Sequence, residues 1–288
     1  MKRPILDIEG LSARTRNGQA VLRDVELMVA PGEVHGLVGE SGAGKTSIAK
    51  AILGILPAAI SVTGGSIRFY GTELIGAPRG TLDKLLGTDI ALIPQDPLTA
   101  LNPARRIGAQ LTDGLRYKGG LSQNDALRRA GELLDEVHLK DTRRVLQAYP
   151  HELSGGMRQR VLIASAFALN PRLIIADEPT SALDVTVQKQ ILRVIRRMQQ
   201  DHGTSVLFVT HDLGVVAQIC DDVSVLYGGA VIEQTTVHRL FRYPAMAYTR
   251  ALIAANPRYD RPDASLQPIP AETIEQTRAL ATGQEAKS

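Results

Sequence analysis

Residues 39–47 read GESGAGKTS, and few short runs constrain a fold so strongly. The spacing is that of a phosphate-binding loop. Gly39, Gly42 and Gly44 let the backbone turn its N–H groups inward around β- and γ-phosphates, and Lys45 bridges those phosphates. The Thr46 hydroxyl is placed for Mg²⁺, and a helix opening at Ser47 aims its positive end at the anion. The whole run, Gly39, Glu40, Ser41, Gly42, Ala43, Gly44, Lys45, Thr46 and Ser47, is the candidate nucleotide-binding segment. Its flanks agree: "EVHGLVGE" upstream is a short apolar strand and "SIAKAILGIL" downstream reads as a helix. A flexible Gly/Ser turn would need neither flank. The expected ligand is a nucleoside triphosphate.

Strand, loop and helix in that order belong to an α/β architecture, and the chain continues in kind. Residues 4–38 hold three strand-like pieces, "ILDIEGLSA", "AVLRDVELMV" and "EVHGLVG", separated by the turn signals "RNGQ" and "APG". "GGSIRFYGTEL" reads as a further edge strand or hairpin. From about residue 96 to 153 the pattern turns helical, with "RIGAQLTDGL" and "QNDALRRAGELLDEVHL" and no strand between them. Alternation resumes with the strand "RLIIADEP". An amphipathic helix with Val187, Ile191, Ile195 and Met198 on one side follows, then the strand "TSVLFVTHD". Such alternation implies a mostly parallel sheet with ligands at the carboxyl ends of its strands. The last stretch, about 25 residues rich in Ala, Gln, Thr and Glu, reads as loosely ordered.

Composition excludes more than it asserts. At 288 residues, 44% hydrophobic and 22% charged, the chain can bury a large core. A net charge of +3, with cations spread along helices such as "QILRVIRRMQQ", describes solvated faces rather than a nucleic-acid stripe. The single cysteine, Cys220, allows neither a disulfide nor a cysteine-held cluster within the chain and reads as a small buried hydrophobe. No segment approaches the roughly 18 apolar residues of a membrane span, and no apolar run follows the cations of the N-terminus. A cytosolic chain is expected, acting on any membrane process from a partner's surface.

Two further runs bear chemistry. "LIIADEP" ends an apolar strand in two acids, which is costly unless the site needs charge. Asp177 suits the Mg²⁺ shell, and Glu178, pointing the other way, suits accepting a proton from an attacking water. A plain strand-to-loop transition is the ordinary alternative. "HELSGGMRQR" opens a helix with Ser154 and the N–H groups of Gly155 and Gly156 where a dipole meets an anion. Read alone, a helix N-cap with a close packing contact is its better account.

Taken together, the phosphate loop, "LSGGM" before "LIIADEP", "SALD" at 181–184 and "THD" at 210–212 resemble the ATP-binding subunits of ABC transporters over roughly residues 5–255. "IPQDPLTALNP", "YPHELSGGMRQRVLIASAFALNPRLIIADEPTSALDVTVQ" and "AYTRALIAANP" are similar to the oligopeptide, dipeptide and nickel importer group. The resemblance implies a P-loop NTPase (RecA-like) core with an antiparallel β subdomain and an inserted helical subdomain. The core would be residues 1–94 and 155–234, the helical subdomain 95–154, and the C-terminal extension 235–288. It implies ATP and Mg²⁺ as cofactors. Gln95 matches the Q-loop glutamine, touching Mg²⁺ or the attacking water where the membrane partner docks. Ser154, Gly155 and Gly156 match the signature motif that contacts the γ-phosphate on the opposite subunit. Asp184 matches the D-loop aspartate linking the two sites. His211 matches the switch histidine that senses the γ-phosphate with Glu178. The remaining histidines, His35, His138, His151, His202 and His238, read as structural or surface residues.

The implied partners are two transmembrane permeases, a second ATP-binding subunit and, indirectly, an external solute-binding protein, with no nucleic acid. The implied place is the cytoplasmic face of the inner membrane, peripherally. Two departures stand out. The family's aromatic ring that stacks on adenine is absent from "LSARTRNG", where Thr15 falls near the expected place, leaving Arg14 or Arg16 to stack or base recognition weak. The cysteine-rich C-terminal element of some peptide-importer ATPases is absent from "DASLQPIPAETIEQ", which excludes an iron–sulfur site there. The alternative functions are a soluble ABC ATPase of repair or translation, and a subunit of a phosphonate-cleaving assembly. The first lacks its expected coiled coil, zinc module or second phosphate loop. "QDPLTALNP" favours an importer over the second.

Overall fold

The computed structural model describes residues 3–255 and 269–282. In chain order the elements are β1 (Leu6–Thr15), β2 (Ala20–Val29), β3 (Val34–Val38), α1 (Lys45–Ile52), β4 (Ile60–Phe69), β5 (Thr72–Glu73), α2 (Arg79–Leu85), β6 (Ile90–Ile93), α3 (Pro97–Ala100), α4 (Ile107–Tyr117), α5 (Gln123–Glu136), α6 (Thr142–Gln147), a 3-10 turn (Pro150–Glu152), α7 (Gly155–Phe167), β7 (Leu173–Asp177), α8 (Val185–His202), β8 (Ser205–Thr210), α9 (Leu213–Ile219), β9 (Asp222–Tyr227), β10 (Ala230–Thr236), α10 (Val237–Arg242), α11 (Ala247–Ala255) and α12 (Ala271–Thr282). The chain forms two compact units, Met1–Ala77 with Leu207–Ser288, and Pro78–Val206.

In the first unit, β2, β1, β4 and β5 make an antiparallel sheet in that order. β1 alternates buried and half-buried side chains, the mark of a strand with one face on a core. β3 is buried along its whole length, pairs parallel with β9, and β9 pairs antiparallel with β10. A parallel strand buried on both faces needs a continuous apolar run, and "VHGLV" supplies one except at His35. That imidazole is satisfied on both sides, 2.8 Å from the Ser224 hydroxyl and 3.2 Å from a Glu33 carboxylate oxygen. Cys220 is half-buried and packs against the core that β9 shares with α9, α10 and α11.

In the second unit, β6 and β7 pair in parallel, and the chain from Pro97 to Glu152 is helical wherever it is regular. α5 opens on Ser122, whose hydroxyl accepts from the Asp125 N–H, and α8 opens on Asp184 and stops at Gly203 in the left-handed conformation. Ile191, Ile195 and Met198 of α8 are buried, as their helical spacing requires, while Val187 is half-buried. β6 and α2 were not expected as elements: each is short, and neither carries the period that would separate it from a loop. Of the tail expected to be loosely ordered, Ile269 and Pro270 are irregular, Ala271–Thr282 is helical, and the rest lies outside the described residues.

No helix among the described residues is long and apolar enough to cross a membrane.

Candidate nucleotide site

Gly39 leaves β3 under a main-chain obstacle. A Cβ there would stand 2.2 Å from the Leu226 carbonyl oxygen of β9, so only glycine lets the loop start where it does. Gly42 and Gly44 take φ of 81° and 108°, conformations that L side chains rarely adopt, and between them the chain reverses into α1 at Lys45, two residues ahead of the expected start. Lys45 is buried. Its ammonium donates to the Gly39 carbonyl at 2.8 Å and the Glu40 carbonyl at 2.9 Å, and the Glu40 carbonyl also accepts the Ala43 N–H at 3.2 Å.

A second tie anchors the loop from outside. The Gly229 N–H, in the turn between β9 and β10, donates to the Ala43 carbonyl at 2.9 Å, while the Gly229 carbonyl accepts the Arg23 N–H of β2 at 2.9 Å. Glycines in left-handed conformations, a buried cation and a helix N-terminus are together the parts of a polyphosphate cradle. His211, also in this unit, is exposed directly after β8, where Asp212 caps α9 by accepting from the Gly214 and Val215 N–H groups.

In the second unit, Asp177 ends β7 and Glu178 follows, both half-buried. Glu178 has φ of 47°, an uncommon backbone for a residue with a long side chain. Gln95, exposed beyond β6, donates from Nε2 to Glu178 Oε2 at 3.3 Å and to the Ser181 hydroxyl at 3.4 Å. Ser181 returns to the Glu178 carbonyl through its N–H at 3.2 Å and its hydroxyl at 3.1 Å. Gln95 and Glu178 are thus brought together. Ser181 is the member of this group that sequence reasoning missed.

Ser154 caps α7, its hydroxyl accepting the Met157 N–H at 3.3 Å. Gly155 has room for a methyl, since its Cβ would meet only Leu183 Cδ2 at 4.0 Å. Gly156 has none, with Val187 Cγ1 at 2.8 Å. Asp184 caps α8 by accepting the Thr186 and Val187 N–H groups at 3.0 and 2.9 Å. Capping and close packing, the ordinary account of "LSGGM", are both present. They also leave the α7 N-terminus formed and facing outward as an anion-binding end.

A family model described as "ABC transporter" matches residues 22–181. The chain is 44% identical over 274 residues to a probable D,D-dipeptide transport ATP-binding protein of Escherichia coli K12, covering 94% of this chain and 84% of that one. It is 41% identical over 270 residues to an oligopeptide transport ATP-binding protein of Haemophilus influenzae, covering 93% and 83%. Among solved structures it is similar to a dimeric post-hydrolysis state of the ATP-binding cassette MJ0796 bound to ADP and Pi. That match has a TM-score of 0.71 and 26% identity over 81% of this chain and 98% of that one. The cbiO1 protein of Clostridium perfringens, part of the ABC transporter complex cbiONQ, matches with a TM-score of 0.73 and 26% identity over 90% and 97%. The phosphate cradle, the acids closing β7 and these likenesses agree: the chain belongs to the ABC transporter family, with the P-loop NTPase fold, and is a nucleotide-binding ATPase.

Proposed function

We propose that this chain is the ATP-hydrolysing subunit of an importer for peptides or similar small solutes. The observation that carries the proposal is the reach of the similarity. It covers 94% and 93% of the chain in two relatives named for dipeptide and oligopeptide transport, so it takes in the C-terminal extension as well as the core.

In this reading residues 1–94 and 155–234 are the ATP-binding core, 95–154 the helical subdomain and 235–288 an extension of the importer type. The loop from Gly39 to Ser47 wraps the β- and γ-phosphates and Lys45 bridges them. Thr46, Gln95 and Asp177 offer a hydroxyl, an amide carbonyl and a carboxylate, oxygen donors that suit Mg²⁺. Bound there, the ion would neutralise charge on the phosphates. Glu178 accepts the proton of the attacking water, Gln95 holds that carboxylate and the water in register, and His211 senses the γ-phosphate. Ser154, Gly155 and Gly156 present the N-terminus of α7 to the nucleotide held by a partner ATPase, and Asp184 links the two sites. Two permeases receive the movement at the cytoplasmic face of the inner membrane, and an external binding protein delivers the solute.

The test is to identify permeases and a solute-binding protein encoded beside this chain and to reconstitute it with them in liposomes, measuring ATP turnover with and without a peptide mixture. Turnover that rises with peptide-loaded binding protein is expected. A chain that instead co-purifies with a soluble phosphonate-cleaving assembly and ignores the permeases would overturn the reading.

A further inference from the structure

Helix α12 lies on the hairpin beside the phosphate loop, all within the first unit. Ile274, Thr277 and Ala281 share one face of it by their helical spacing. The Tyr227 hydroxyl of β9 donates to the Ile274 carbonyl at 3.4 Å, Thr277 is buried, and a Cβ on Gly228 would meet that of Ala281 at 3.9 Å. Tyr227 is itself held from behind. Its ring centre is 4.7 Å from that of the fully buried Tyr248 of α11, at an interplanar angle of 60°, and Tyr248 shares a core cluster with Val38, the residue immediately before Gly39. The Gly229 N–H of the same hairpin holds the Ala43 carbonyl. One hairpin thus fastens both α12 and the phosphate loop.

Between them is a cavity of about 460 Å³, a size that suits a small-molecule ligand. It is lined by loop residues 40–43, by Gln19 and the start of β2, by Tyr227 and the turn after it, and by Arg278, Ala281 and Thr282 of α12. The helix walls this space without filling it. Charge in the lining comes from Arg23, Arg278 and Glu40, two cations against one carboxylate, which favours an anionic ligand. The Arg23 Nε is committed to the Gly228 carbonyl at 3.2 Å, and the Tyr227 ring is packed on Tyr248. Arg278 is exposed, and its guanidinium makes no hydrogen bond or ion pair among the described residues.

A triphosphate wrapped by residues 39–47 carries a ribose and a base that must leave the loop, and loop residues 40–43 are one wall of this cavity. A guanidinium is flat, cationic and weakly hydrated, so it stacks well on an aromatic face. We propose that the cavity takes the ribose and base of the bound nucleotide and that Arg278, from the C-terminal extension, is a binding residue whose guanidinium lies on the purine face. This rests on the reading that the loop binds ATP. Every purine offers such a face, so the contact adds affinity without choosing between bases. An arginine that is only part of a solvated helix surface predicts no effect on ligand affinity.

The experiment uses the full chain with Arg278→Ala and Arg278→Lys, reading the Tm and, by calorimetry, the Kd of ATP, GTP and inorganic triphosphate. Arg278→Ala is expected to weaken ATP and GTP alike by about fivefold, the scale of one cation–π contact. Inorganic triphosphate, which has no base, should keep its Kd within about twofold, and the Tm should not move, since the side chain is exposed. Arg278→Lys keeps the charge and loses the plane, and is expected to weaken ATP by about threefold. Wild-type ATP affinity in Arg278→Ala would overturn the proposal while leaving the nucleotide reading intact. So would an equal loss for inorganic triphosphate, full recovery by lysine, or tighter ATP binding, which would make α12 an obstacle to the cavity. Failure of the wild-type chain to bind both ATP and inorganic triphosphate would overturn both readings, so the two failures are distinguishable.

Discussion

The side-chain amide of Gln95 donates to the carboxylate of Glu178 over 3.3 Å, joining the segment beyond β6 to the residue that follows β7. A neutral donor aimed at a carboxylate leaves its charge in place and restricts its direction, which is what a proton acceptor needs. Ser181, held to the Glu178 main chain, limits where Gln95 can go.

Glu178→Gln is expected to lower ATP turnover by a factor of about 10² to 10⁴, the usual contribution of a positioned base, with the ATP Kd within about twofold of the wild type. Gln95→Ala should lower turnover by about tenfold, because the carboxylate remains but loses its orientation. Steady-state turnover and equilibrium binding on the same preparations check both. Near-wild-type turnover in Glu178→Gln would remove it as the base.

The paired glycines of the α7 N-terminus should respond unequally to a methyl group. Gly156→Ala drives a Cβ onto the β-branched Val187, 2.8 Å away, and is expected to destabilise the protein by about 1 to 3 kcal/mol. Gly155→Ala meets only Leu183 Cδ2 at an ordinary contact distance of 4.0 Å, and its unfolding free energy should stay within about 0.5 kcal/mol of the wild type. Gly156→Ala with Val187→Ala should recover most of the loss in denaturant titrations. A further drop would show that Val187 is not the obstacle.

Base recognition should be weak. Around the expected stacking position, Thr15 exchanges hydrogen bonds with the Gln19 main chain, its hydroxyl accepting at 3.1 Å and donating at 3.2 Å, and the Arg14 guanidinium donates to the Gly18 carbonyl at 3.0 Å. Both side chains serve the β1–β2 turn, and stacking on an aromatic ring, worth about 1 to 3 kcal/mol, is not supplied there. GTP is expected to compete with ATP with less than about 100-fold discrimination. A larger preference would mean that another residue reads the base.

A site shared between two chains predicts complementation. Lys45→Ala disables the phosphate loop and Ser154→Arg blocks the α7 N-terminus, so each homodimer should be inactive. If this chain pairs with itself, mixing the two variants leaves one intact site in each mixed dimer and should restore partial turnover. No recovery in mixed dimers verified by mass would point to a different ATPase as partner.

Asp222 gives a pH dependence with a definite sign. Burial, and then the neighbouring Glu33 carboxylate with a smaller push from Asp221, raise its carboxyl above the ordinary value against the opposing pull of His35. Its charging therefore costs stability as pH rises from the ordinary carboxylate range through the raised value, and the cost is absent below that range. Asp222→Asn is expected to raise the Tm at about pH 7, with the gain shrinking toward about pH 4. A gain that does not change with pH would exclude this cause.

What the sequence made legible was local. The glycine spacing at Gly39, Gly42 and Gly44 dictates a backbone shape, and the 3.6-residue period of Ile191, Ile195 and Met198 dictates which face of α8 is buried. The acids at Asp177 and Glu178 stood out because charge at the end of an apolar strand is costly. The ties between distant segments were not legible: Gln95 to Ser181, Gly229 to Ala43, and Tyr248 to the loop at Val38. A hydrogen bond between segments far apart in the chain leaves no period and no spacing. Tyr248 in "AYTRALIAA" reads as any aromatic on a helix until the fold supplies its neighbours.

If Glu178 is the base proposed above, its φ of 47° sets heat resistance against turnover at a single position. Left-handed backbone costs a long side chain about 1 to 2 kcal/mol, and glycine would adopt it at no steric cost. A population screened only for surviving high temperature would therefore accumulate glycine or asparagine at 178, and those survivors would have lost the carboxylate. Retaining glutamate there means keeping a less durable chain for the sake of its chemistry.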